Sequence, residues 1–189
     1  MSGTFCFLRL KPPRGRKRSY RGTAQLIEVE EVFKILLKES RLLTRRLVHE
    51  EAFPVTPEEL FALLHTPSAI RIWWSAARAI VVPQEGGLWT AAWGNDEDSP
   101  DYITWAIIKV FDPPQRMVIG DFGYYTKSGP LPFQADFTTS FNVAVHADGA
   151  TLRVEQDGFP NDNIADEFYA GCEVGWRNTF VGIRAYLNS

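Results

Sequence analysis

The chain has 189 residues, of which 45% are hydrophobic and 13% aromatic, with a formal net charge of −3 at pH 7. This length fits one domain with an extension, and no apolar run approaches the about 18 residues of a membrane span. Roughly twelve Lys and Arg stand against four Glu before Leu47, and roughly eight stand against nineteen acidic residues from Leu47 onward. The acidic main body argues against nucleic-acid binding by that part of the chain.

Residues 1–43 differ in composition from the rest. The stretch from Lys11 to Gly22 is rich in Pro, Gly and Arg, which favours disorder. Residues 25–43 have apolar side chains at helical spacing with charges opposite. We therefore predict a basic, disordered extension over 1–43 with an amphipathic helix near 25–43, and a domain over 44–189. A tether for nucleic acid or anionic lipid, a targeting peptide, and residues translated upstream of the true start are alternative interpretations.

The predicted domain begins with a strand and two short helices. The strand covers 47–53, and the sequence that follows it carries helix-start signals. Thr56 caps the first helix, Pro57 suits its first turn, and Glu59 completes a capping box. The second short helix runs over 67–74 and ends in a pair of tryptophans.

Six further strands follow, separated by turn residues. They are predicted at 79–82, 88–94, 102–111, 116–122, 135–146 and 151–156. Alternating apolar residues indicate their inward faces, with Trp89 and Trp93 in phase on one strand and Trp105 and Ile107 in phase on the next. Because these strands follow one another without intervening helices, we predict an antiparallel sheet and the α+β class.

The last segment, Asp166 to Leu187, predicts a long helix with a wide apolar face. Trp176, Phe180, Ile183 and Leu187 recur at three- and four-residue spacing and form one stripe. A second apolar stripe lies beside the first and contains Ile164, Phe168, Cys172, Gly175 and Thr179. Such a face needs a concave surface to cover it, which a curved sheet can supply. We expect a cavity between sheet and helix, and we expect function there.

Four stretches of the chain carry a resemblance to a known family: Phe53 to Phe61, Ile72-Trp73-Trp74, Phe111 to Val118, and Gly175-Trp176 through Tyr186-Leu187. In this order they resemble the SRPBCC (START-like) superfamily, and within it the family of the C-terminal domain of the heat-shock-protein-90 ATPase activator. The match covers about residues 44–188. The resemblance implies a helix-grip fold: a curved antiparallel sheet of about seven strands around a long C-terminal helix, with two short helices after the first strand. It also implies a hydrophobic cavity, but no particular reaction.

Thirteen residues are our candidates for binding a ligand, because they are large or apolar and fall on the faces expected to meet across the cavity. They are Trp73, Trp74, Trp89, Trp93, Trp105, Ile107, Phe122, Tyr124, Phe137, Phe141, Phe168, Cys172 and Trp176. Packing alone is the competing explanation for the aromatic residues, since burying each one contributes roughly 2–3 kcal/mol.

No catalytic or metal-binding motif is present in the sequence. His49, His65 and His146 do not fall at metal-ligand spacings, and no nucleotide-binding or hydrolase signature occurs. We therefore expect no metal, no cofactor and no catalytic residue. Cys6 and Cys172 lie in different segments, so a disulfide is not expected, which fits a cytoplasmic location.

Three functions remain open at this point. The first is a non-catalytic domain that binds a small hydrophobic molecule, gated by the two short helices and the loop over 123–131. The second is a cyclase- or hydrolase-type enzyme that uses the same cavity, with Tyr124 and a carboxylate such as Asp121 or Asp136 as an acid–base pair. The third is an interaction module that activates a chaperone ATPase, with a chaperone as partner. The sequence does not indicate an oligomeric state. We expect Trp105→Ala to lower ligand affinity if the domain is a carrier.

Overall fold

The computed structural model describes residues 44–96 and 98–189, and it confirms the α+β class. The predicted extension over 1–43 lies outside the described residues, so its predicted disorder and helix stay predictions. The elements are β1 (Thr44–Phe53), α1 (Pro57–His65), α2 (Pro67–Trp73), β2 (Arg78–Val81), β3 (Leu88–Trp93), β4 (Tyr102–Asp112), β5 (Arg116–Thr126), β6 (Thr138–His146), β7 (Gly149–Pro160) and α3 (Asp166–Leu187). A short 3-10 turn, Asn163–Ala165, leads into α3.

The seven strands form one antiparallel sheet in the order β1-β7-β6-β5-β4-β3-β2. The first strand therefore pairs with the last one, at the edge opposite β2. The long helix α3 packs against α2 and β1 on the inner side of the sheet. The curved sheet, the two short helices after β1 and the long C-terminal helix confirm the predicted helix-grip fold.

The start of α1 follows from its sequence. The Thr56 hydroxyl accepts a hydrogen bond from the Glu59 backbone N–H at 3.2 Å, and the Glu59 carboxylate accepts one from the Thr56 N–H at 2.9 Å. This is the predicted capping box, which satisfies donors that the helix start leaves free. The apolar side of α1 is buried in the core.

Three buried or half-buried indoles connect α1, α2 and the sheet to one another. Trp73 and Trp89 donate their Nε1–H groups to the carbonyl oxygens of Leu63 and Leu64, each at 3.0 Å. Trp93 donates to the carbonyl of Trp74 at 3.1 Å. The carbonyls in the last turn of a helix have no partner within that helix. The three bonds satisfy these carbonyls: that of Trp73 joins α2 to α1, and those of Trp89 and Trp93 fix the two helices over β3.

Strand β5 contains a bulge that changes which side chains face inward. The register between β4 and β5 shifts in this region, and Asp121 has a φ of 52°. Before the bulge Ile119 faces the interior, and after it Phe122 and Tyr124 do. Asp121 itself forms an ion pair with Lys109. Pairing with β4 continues to Thr126, so the strand is longer than the sequence predicted.

The structure reverses the predicted phase of β4. Thr104, Ala106 and Ile108 are buried on the inner face, whereas Trp105 is 40% exposed on the outer one. The indole of Trp105 lies over Gly123, where an added Cβ would come within 2.0 Å of the ring. Ile107 shares the outer face with Trp105. Both faces of β4 are largely apolar, so alternation alone could not determine which one faces the core.

Candidate ligand-binding site

A cavity of about 480 Å³ lies between α3 and the inner face of the sheet. A volume in this range suits a small organic molecule, since ligand pockets hold roughly 300–1,000 Å³. The cavity opens along α3, where Glu167, Gly171 and Gly175 are exposed. Its walls come from β3, β4, β5, β6, β7 and α3, together with Trp74 at the end of α2.

Nine of the thirteen candidate residues line this cavity: Trp74, Trp89, Trp93, Phe122, Tyr124, Phe141, Phe168, Cys172 and Trp176. The other four do not. Trp73 is buried in the core, and Phe137 borders a neighbouring hollow on the far side of Phe122 and Tyr124. Trp105 and Ile107 face outward. That the nine residues contact a ligand stays a prediction.

Trp74 is the centre of the aromatic wall. Its ring centroid lies 5.3 Å from that of Trp89, 5.0 Å from that of Trp93 and 6.5 Å from that of Trp176. The stacked rings of Phe122 and Tyr124, 5.9 Å apart, form a second aromatic surface on β5. Aromatic faces of this kind pack favourably against flat, apolar molecules.

Two glycines, Gly171 and Gly175, form part of the helical wall beside larger side chains such as that of Phe168. An added Cβ at Gly171 or Gly175 would meet nothing within 4 Å, so both glycines face open space. Gly182 on the same helix differs, because a Cβ there would lie 2.0 Å from the Trp73 carbonyl oxygen. Close packing of α3 against α2 thus requires Gly182, whereas nothing in the packing requires the other two.

Nine further residues line the cavity but are not among the thirteen candidates: Tyr102, Thr104, Ile119, Thr139, Gln156, Glu167, Gly171, Gly175 and Thr179. Several of them are polar, whereas nearly all of the candidates are large apolar side chains. The sequence does predict that Gln156 faces inward, because it continues the alternation of Leu152 and Val154 on β7. The same holds for Gly175, whose position on the second apolar stripe of the helix predicts that it faces the sheet.

The buried titratable groups of the cavity are held in their neutral forms. Burial raises the pKa of the Cys172 thiol to about 12. Burial also raises the pKa of Tyr102 and of Tyr124, each reinforced by the neighbouring ionisable groups of the cluster. At neutral pH these groups are therefore hydrogen-bond donors and not bases. Lys and Arg do not occur among the described residues that line the cavity.

The acid–base pair considered from the sequence is not assembled. Tyr124 lines the cavity, but Asp121 is paired with Lys109 and Asp136 is exposed, and neither carboxylate lines the cavity. Within 44–96 and 98–189, groups of three or more metal-ligating side chains are not found. The helices of these same ranges include none that is long and apolar enough to span a membrane.

A family model described as "Activator of Hsp90 ATPase homolog 1-like protein" matches residues 54–188 of the chain. No curated protein sequence matches the chain. Among solved structures, protein MLL2253 from Mesorhizobium loti is similar at 19% identity and a TM-score of 0.62, over 76% of this chain and 97% of that one. A protein from Rhodobacter sphaeroides shows 18% identity and a TM-score of 0.62, over 76% and 92%. CalU16 from Micromonospora echinospora shows 16% identity and a TM-score of 0.54, over 76% of each chain. At these identities the similarity establishes the fold alone.

Proposed function

Because the chain belongs to the Activator of Hsp90 ATPase homolog 1-like family, whose match spans the walls of the cavity, we propose that the domain binds a small, uncharged, hydrophobic molecule there. Binding without catalysis is the simplest function of this site. Its neutral donors can hold a ligand, but the described lining residues include no buried base that could take a proton from one. We place the domain in the cytoplasm as part of this proposal.

The observation that carries the proposal is the empty space beside Gly171 and Gly175. A glycine in a helix interior is about 1 kcal/mol less favourable than alanine. Tight packing often explains such a residue, and it does so for Gly182. At Gly171 and Gly175 packing gives no reason for the loss, whereas a cavity kept open for a ligand does.

The test is to fill the cavity from the helix. In Gly175→Leu the new side chain projects into open space, so the fold is retained while the volume for a ligand falls. The probe is N-phenyl-1-naphthylamine, an uncharged dye whose fluorescence rises in apolar surroundings. We expect wild-type protein to bind the dye and Gly175→Leu to lose most of that binding. The matched control is Val181→Leu, which adds an apolar group on the exposed side of the same helix.

Equal dye binding by wild type and Gly175→Leu would place the dye elsewhere and contradict the proposal. A wild-type protein that binds no neutral dye would contradict it as well. In that case the chaperone-partner alternative would take precedence, because an interaction module acts through its surface and does not need an accessible cavity.

A further inference from the structure

We propose that the β4–β5 wall of the cavity recognises a carbonyl oxygen, through the hydroxyls of Tyr102, Thr104 and Tyr124, so that the ligand is a flat, neutral aromatic ketone or quinone. This inference rests on the proposed binding function and names the chemical class of its ligand.

The three hydroxyl-bearing side chains share one patch of the inner sheet face. Tyr102 and Thr104 are two residues apart on β4, and therefore point to the same side. Thr104 is paired directly across from Tyr124 on β5, and the rings of Tyr102 and Tyr124 are 6.1 Å apart. The bulge at Asp121 gives Tyr124 this position, because uninterrupted alternation would turn it outward.

Thr104 provides the observation that points to a ligand. Its side chain lines the cavity and the residue is only 3% exposed; its hydroxyl is near enough to that of Tyr124 to lower the pKa of the Tyr124 phenol, yet at this separation it makes no hydrogen bond within the described residues. Buried hydroxyls are normally satisfied, and one without a partner destabilises the fold. A ligand that presents an acceptor to this patch would supply the missing bond.

The charges around the patch select a neutral acceptor. Burial keeps the Tyr102 and Tyr124 hydroxyls protonated, so they act as donors. An anionic ligand would lose its hydration without meeting a described lysine or arginine in the lining, and Glu167 near the opening would repel it. The aromatic rings of Trp74 and Trp93 offer flat apolar surface on a neighbouring wall. A carbonyl attached to an aromatic ring system fits both requirements.

The experiment compares two probes of nearly equal shape, 2-acetylnaphthalene and 2-ethylnaphthalene, by equilibrium dialysis against the full chain. Only the first has a carbonyl. The quantity of interest is the ratio of the two affinities, compared between variants, because the difference in transfer of the probes from water is the same in each variant and cancels in that comparison. In Thr104→Val, which keeps the side-chain shape, we expect the ratio to fall about tenfold, as loss of one hydrogen bond predicts. We also expect the melting temperature of the unliganded variant to be no lower than that of wild type.

The control is Thr151→Val, the same substitution on the outer face of β7, where the ratio should not change. Tyr124→Phe is the second test of the patch. It removes a hydroxyl and leaves the ring packed against Phe122, and the ratio should fall here too.

The outcomes separate the two claims. If neither probe binds wild type, the binding function and this inference both fail. Another outcome is that both probes bind with the same affinity ratio in wild type, Thr104→Val and Tyr124→Phe. In that case the cavity binds ligands without recognising a carbonyl, and this inference alone is overturned. A melting temperature that falls in Thr104→Val, with the ratio unchanged in Tyr124→Phe, would show a structural role for the hydroxyl and would also overturn it.

Discussion

The indole N–H of Trp176 donates a hydrogen bond of 2.7 Å to the side-chain oxygen of Gln156. Both residues are buried, one on α3 and the other on β7, and both line the cavity. The bond therefore connects the long helix to the sheet at the place where the two separate to form the cavity. It holds one wall at a fixed distance from the other while the neighbouring space stays open.

We expect Gln156→Leu to destabilise the protein by about 1–3 kcal/mol, because it leaves the Trp176 indole N–H buried without a partner. Urea unfolding followed by tryptophan fluorescence measures this. The double variant Gln156→Leu/Trp176→Phe removes the unsatisfied donor as well, so its loss should be smaller than the sum of the two single losses. Additive losses would mean that the two side chains do not depend on each other.

Replacing two glycines of α3 with alanine should change the free energy of unfolding in opposite directions. Gly175→Ala should raise the free energy of unfolding by up to about 1 kcal/mol, because alanine favours the helix and the new methyl group enters open space. Gly182→Ala should lower it, because its Cβ would lie 2.0 Å from the Trp73 carbonyl oxygen. Thermal unfolding of both variants provides the comparison. Stabilisation by both substitutions, or by neither, would contradict the described packing of α3.

Trp105→Ala should weaken the fold without changing ligand affinity. From the sequence we expected lower affinity, but the indole lies on the outer face, over Gly123. Because the residue is 40% exposed, the loss should be roughly 1–2 kcal/mol, below the about 3–5 kcal/mol of a fully buried tryptophan. Dye titration and urea unfolding of the same preparation separate the two effects. A loss of dye affinity in a folded variant would show that Trp105 lines the cavity, and would contradict its position on the outer face.

The stability of the protein at high pH should depend on the buried Cys172 thiol. Its pKa is raised to about 12 in the folded state, whereas the unfolded thiol loses its proton near its ordinary pKa of about 9. Between these values the unfolded state binds fewer protons, so stability falls as the pH rises above about 9. Cys172→Ala should lose stability less steeply over this range and match the wild-type slope below it. Parallel slopes above pH 9 would contradict the burial of the thiol.

The fold could be predicted because its signals are local and agree with one another. Thr56 and Glu59 specify the start of α1 through contacts three residues apart, and the stripe from Trp176 to Leu187 specifies the long helix. Consecutive strands without helices between them specify an antiparallel sheet. These features need no knowledge of distant contacts.

The site was harder to predict because it depends on contacts between strands. The bulge at Asp121 decides that Tyr124 faces the cavity. Asp121 has a left-handed backbone although it is not a glycine, so the sequence does not predict the bulge. Strand β4 is apolar on both faces, so only the paired strands show that Thr104 faces inward and Trp105 outward. The Gln156 side chain is informative only once its partner on α3 is known.

If a neutral hydrophobic ligand occupies the cavity, the six tryptophans of the chain should report its binding. Four of them line the cavity, whereas Trp73 is buried beside Trp74 and Trp105 lies on the outer face. A proton–nitrogen NMR spectrum of the indole N–H groups, titrated with 2-acetylnaphthalene, reports all six at once. We expect the signals of Trp74, Trp89, Trp93 and Trp176 to shift in a saturable manner while that of Trp105 stays in place. Shifts confined to Trp105, or no saturable shift at any indole, would contradict it.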